Sequence, residues 1–134
     1  MAERLSRLYL RALGTVSLSA LIFVAVPYAQ MDAIHRWLGL GRLPDAPIVG
    51  YLARSTSAFY AFLGGLLWVV SFDLRRHRQV LCYVGCALIA LGAALFAVDW
   101  LEGLPLFWRV GEGPIDAAFG ASLLWLGLRE HDDR

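Results

Sequence analysis

Apolar residues in this chain come in long unbroken runs, separated by short stretches where arginine, acids, proline and glycine gather. Three runs carry no charge for long enough to cross a bilayer: Ala12–Met31 (20 residues), Ser55–Phe72 (18) and Gln79–Val98 (20). A hydrocarbon core of about 30 Å needs about 20 helical residues. The fourth run, Ala117–Leu128, has 12 uncharged residues and reaches spanning length if its helix begins at Pro114 with Asp116 in the first turn. Proline suits that first position, and an acid there meets the positive end of the helix dipole.

The pattern therefore predicts an all-α integral membrane four-helix bundle. It forms a single four-span domain over 1–134, with spans near 8–29, 47–73, 79–101 and 114–129. Between the first two spans, Pro27 should kink or end the helix. Then "QMDAIHRWLGLG" places Met31, Ile34 and Leu38 on one face, a short interfacial helix within segment 30–46. Helix two is expected to start at Pro47, and "LEGLPLFWRVGEG" is read as a connection dipping along the surface on Leu104, Leu106, Phe107 and Trp108.

Composition strengthens this picture. Hydrophobic residues make up 59% of the chain and charged residues 17%, more apolar surface than a soluble domain of 134 residues could hide. The formal net charge of +1 gives no sign of a nucleic-acid partner. The arginine-rich start followed by an apolar core resembles a signal peptide, but cutting after Ala29 would put Pro27 at the −3 position, so the segment reads as an uncleaved first span.

Charge also orients the spans. One side would hold Arg4, Arg7, Arg11, Arg75, Arg76, Arg78, Arg129 and Arg134, the other Arg36, Arg42, Arg54 and Arg109. Eight against four places both termini in the cytoplasm. The aromatic belts agree: Trp37, Trp100, Trp108, Tyr28 and Tyr51 fall at outer ends, and Trp68, Trp125, Tyr9 and Tyr83 at inner ends.

Helices in lipid pack through small residues, because lipid is as apolar as leucine. The packing positions are Ser57, Ala61 and Gly65 on helix two, Gly85 and Gly92 on helix three, and Gly120 and Gly127 on helix four. Arg54 shares the first stripe, Asp99 follows Gly92 by one heptad, and Asp116 precedes Gly120 by one turn. Arg54 is therefore expected to face inward and meet Asp99 or Asp116, because a guanidinium left in lipid would cost roughly 2.5–3.5 kcal/mol or more. With Arg109 and Glu112 these residues form a candidate buried polar cluster, read either as a structural pin or as a proton- or ligand-responsive site.

Other chemistry is thin. Cys82 and Cys86 stand four apart on one helix, poorly placed to bridge, and His35, His77 and His131 fall outside the spans. No phosphate-binding glycine loop, nucleophile elbow or zinc signature is present, so neither a catalytic residue, a metal nor a cofactor is expected.

The stretches "ARSTSAFYAFLGGLL" and "GEGPIDAAFG" carry a resemblance. An arginine opens helix two ahead of an aromatic residue and paired glycines, and an acid leads helix four. The chain resembles small bacterial membrane proteins of the DoxX-like group. That resemblance implies four spans and, through members similar to subunits of quinone-linked sulfur oxidation, a redox partner. The first expectation is a non-enzymatic accessory or interaction subunit in the lipid bilayer, a homo-oligomer or part of a larger membrane complex. The second is a small carrier using the polar cluster for a proton-coupled or anionic solute, and the third a subunit of a quinone-linked oxidoreductase.

Overall fold

The computed structural model describes residues 2–132, with side chains over residues 3–129. Arg134 and the side chain of His131 lie outside the described residues. The described chain is helical, with six elements in order: α1 (Ala2–Ser19), α2 (Ile22–Ala25), α3 (Tyr28–Trp37), α4 (Pro47–Val70), α5 (Arg78–Leu101) and α6 (Leu106–Asp132). They divide into two compact units, residues 1–72 and 73–134.

In the first unit α1 and α2 run antiparallel to α4. The run Glu3–Ala25 is long and apolar enough to cross a membrane, but its helix is not continuous. Thr15 donates its hydroxyl to the Arg11 carbonyl (2.7 Å) and Ser19 to that of Val16 (2.6 Å). Such back-bonding competes with the helical ladder and bends it. The next bonds tighten to i→i−3, Ala20 to Ser17 and Leu21 to Leu18, and α1 stops. After α2 the backbone becomes extended at Val26 and Pro27, as a proline without an N–H requires.

A short helix, α3, stands where the interfacial helix was expected. Gly39 ends it at φ +77, where the Leu40 amide reaches back to the His35 carbonyl and the Gly39 amide to that of Arg36. This left-handed cap satisfies two terminal carbonyls, and glycine enters the conformation without a Cβ penalty. Pro47 then takes the first turn of α4, as expected. At about 1.5 Å per residue, the 24 residues of α4 extend about 36 Å.

The second unit is the antiparallel hairpin of α5 and α6. Helix α5, also 24 residues, is the other helix long and apolar enough to cross a membrane. Its end repeats the α3 cap: Gly103 at φ +68, with Leu104 bonded to the Asp99 carbonyl and Gly103 to that of Trp100.

The start of α6 corrects an expectation. The helix begins at Leu106, not Pro114, and its 27 residues carry Pro114 inside them. Pro105 is the proline that opens it, since its carbonyl accepts the amides of Trp108 (2.9 Å) and Arg109 (3.1 Å). Leu106, Phe107 and Trp108 therefore form the first turn of the helix and not a surface loop, and Asp116 lies in the third turn. An interior proline forfeits one ladder bond, a loss that helices packed in membranes tolerate.

Among the described residues only nine apolar side chains are buried, including Leu10, Leu67, Val70, Leu81 and Leu123. Twenty-nine large ones are exposed.

Candidate functional site

The five residues of the expected polar cluster divide between the units: Arg54 belongs to the first, and Asp99, Arg109, Glu112 and Asp116 to the second. Arg54 has partners that its own sequence neighbourhood does not announce. Its Nε donates to the Val24 carbonyl (3.1 Å) and its Nη2 to the Val26 carbonyl (3.2 Å). These are the carbonyls that the break ahead of Pro27 takes out of the helical ladder. A planar fork with five donors suits two acceptors fixed two residues apart. Gly50, one turn earlier on α4, makes room for it: a Cβ there would stand 3.1 Å from the guanidinium Nη1.

In the second unit the hairpin seam delivers the charges. Gly85 packs on Gly120 and Gly92 on Gly113, each pair carbonyl against Cα, and Gly127 packs on Cys82 and the Arg78 carbonyl. One heptad beyond Gly92 the seam position is Asp99, only 3% exposed. Asp99 and Asp116 are close enough to act on Glu112 through their charge. Glu112 accepts a hydrogen bond from the Trp108 indole, and the Arg109 guanidinium lies over the Trp100 ring, 4.6 Å from its centroid. The Oδ2 atoms of Asp99 and Asp116 and the Nε of Arg109 are buried with no hydrogen-bond partner among the described residues. Four sequence-expected residues thus gather at one end of one hairpin, three acids against one base. No group of three His, Cys, Asp or Glu side chains among the described residues converges as metal ligands would.

The packing stripes match in part. Ala61 is buried, and Gly85, Gly92, Gly120 and Gly127 all meet backbone or side chains closely. Gly65 does not: a Cβ there would meet nothing within 4 Å, and Gly64 holds the seam, with Gly14 opposite. The Ser57 hydroxyl bonds back to the Ala53 carbonyl (2.9 Å). The sequence reading missed Gly14, Gly64 and Gly113. The heptad spacing of Gly64 from Gly50, Ser57 and Ser71, and of Gly113 from Gly120 and Gly127, was the available signal; Gly14 had none.

Arg11 is a further unforeseen hub. Its Nε donates to the Ser71 hydroxyl (3.2 Å), and its guanidinium sits 5.2 Å from the Trp68 ring and 5.5 Å from Phe72. Cys82 and Cys86 are free thiols. His35 and His77 face backbone carbonyls, of Gly41 at 2.9 Å and Asp73 at 2.8 Å.

No protein-family model matches the chain, and neither a curated protein nor a solved structure matches it.

Proposed function

We propose that the chain is a four-span integral protein of a bacterial cytoplasmic membrane, with both termini cytoplasmic, acting as a non-enzymatic accessory or interaction subunit. The observation that carries this reading is the apolar exterior: twenty-nine large apolar side chains exposed against nine apolar residues buried. Water would penalise that surface by about 25 cal/mol per Å², whereas lipid would not. Helices α4 and α6 have the length to span beside the first run and α5, though each carries ionised residues.

The DoxX-like resemblance supports the reading through the quoted stretches of α4 and α6. Topology reporters test it. Fusions after Pro44 and Gly103 should be active only in the periplasm, and fusions after Arg76 and at the C-terminus only in the cytoplasm. Release of the whole chain by alkaline carbonate, or the opposite reporter pattern, would refute the reading. Co-purification from the native membrane then identifies a partner complex.

A second reading, a small carrier for a proton-coupled or anionic solute, is favoured by the unpartnered buried oxygens of Asp99 and Asp116. Buried polar groups are as a rule satisfied, so the exceptions call for a reason. A pH-dependent flux in proteoliposomes that disappears in folded Asp116→Asn would establish it.

A further inference from the structure

Between α3 and α4 the chain folds over itself and is braced by three side chains that contact its backbone. The Tyr28 hydroxyl donates to the Pro44 carbonyl and lies 3.2 Å from that of Leu43. The Leu43 amide donates to Asp32 Oδ1 (2.8 Å), and His35 Nδ1 lies 2.9 Å from the Gly41 carbonyl. These contacts frame a cavity of about 420 Å³ lined by Tyr28, Ala29, Asp32, Arg42, Leu43 and Asp45.

The charges around it are not equivalent. Asp32 is matched by Arg36 at 3.0 Å. Arg42 and Asp45 both line the cavity, yet neither side chain forms a hydrogen bond or ion pair among the described residues. They stand three residues apart, and the intervening Leu43 and Pro44 are tethered to Asp32 and Tyr28. Both side chains are exposed at the rim of this open cavity, and a base and an acid that do not close on each other complement a ligand that carries both charges. A guanidinium binds phosphate through paired N–H donors, and a carboxylate accepts from a primary ammonium. A quaternary ammonium offers no N–H to it.

The location narrows the ligand. On α3, Ile34 is 41% exposed and Trp37 84%, an apolar face suited to the headgroup boundary. We propose that this cavity binds a zwitterionic phosphate–ammonium group, the headgroup of an ethanolamine phospholipid, with phosphate on Arg42 and ammonium on Asp45. The lipid source rests on the membrane reading above; the cavity chemistry does not.

The test titrates the purified full-length protein in detergent with four probes: dioleoyl phosphatidylethanolamine, phosphatidylcholine, phosphatidylglycerol and soluble phosphoethanolamine. Native mass spectrometry reads binding, and vesicle flotation reads membrane association. The ethanolamine lipid should bind tighter than the other two lipids by about tenfold, the worth of one hydrogen bond to a charged group. Arg42→Ala and Asp45→Ala should each abolish that preference, and Arg42→Lys, which keeps the charge and the loop, should retain part of it. Equal affinity for all three lipids, or a preference that survives both alanine variants, overturns the proposal. A chain that floats with vesicles but shows that result loses the cavity and keeps the membrane reading. A chain that fails to float but binds phosphoethanolamine through Arg42 and Asp45 keeps the cavity chemistry, identifies a soluble source and loses the membrane reading.

Discussion

Arg54 shows how backbone carbonyls can hold a cation inside an apolar helix. Its two donors close the break between α2 and α3, where Val24 and Val26 would otherwise present bare carbonyls. Removing the side chain orphans both acceptors, so Arg54→Ala should destabilise the protein by about 1–3 kcal/mol. Arg54→Lys should fall between, since an ammonium keeps the charge but lacks the fork. Unfolding in mixed micelles measures the order; an alanine variant as stable as the parent would remove Arg54 from this role.

Tyr28 is the second residue-scale case. Its phenol is raised above the ordinary 10.0, by desolvation first and then by the charges of Asp45 and Asp32. A group whose folded value is raised favours folding while protonated. That contribution is complete below pH of about 10 and is lost as pH climbs through the raised value. The hydroxyl must also keep its proton to donate to Pro44. Ultraviolet difference titration should therefore show Tyr28 ionising above its ordinary range, and Tyr28→Phe should delete that component.

At the scale of elements, both hairpins close on glycine, the second at heptad spacing. The pairs Gly14–Gly64, Gly85–Gly120 and Gly92–Gly113 bring backbones close enough that an added Cβ would stand 2.4–2.8 Å from a partner's carbonyl oxygen. Gly92→Ala should cost about 1–3 kcal/mol, because rigid backbone would have to move. Gly65→Ala meets open space and should be neutral or gain about 0.5–1 kcal/mol from helix propensity. Thermal unfolding shows a loss for Gly92→Ala and none for Gly65→Ala if the seam is as described, and equal effects if it is not. The adjacent glycines of "FLGGLL" mark the limit of sequence reading: residues 64 and 65 differ by 100° around the helix, and a small-residue stripe drawn through Ser57 and Ala61 fits either. The start of α6 escaped for a related reason, because Pro105 and Pro114 are both good first-turn prolines and only the packing of Gly113 on Gly92 extends the helix past the second.

Across the whole molecule, each unit carries its own seam, and the segment from Asp73 to His77 joins the two. A short glycine–serine insertion after Arg75 breaks the turn bond from the Arg76 amide to Asp73 Oδ1 (3.0 Å) and should cost about 0.5–1.5 kcal/mol in thermal unfolding. The same insertion at Gly103 should cost more, since it breaks the left-handed cap that turns α5 into α6. Equal sensitivity at the two sites would contradict a division into two units.

Hydropathy and helical period are properties of the chain's own order. They fixed the all-helical class, the break at Pro27, the short helix α3, the start at Pro47 and the extent of α5. Partnership is not local in that sense. Arg54 bonds to backbone carbonyls, which every residue possesses and no residue type advertises, and the tertiary structure alone decided that these belong to Val24 and Val26. It also chose between neighbouring glycines and left Arg42 and Asp45 apart at one cavity, because each outcome depends on which backbone approaches.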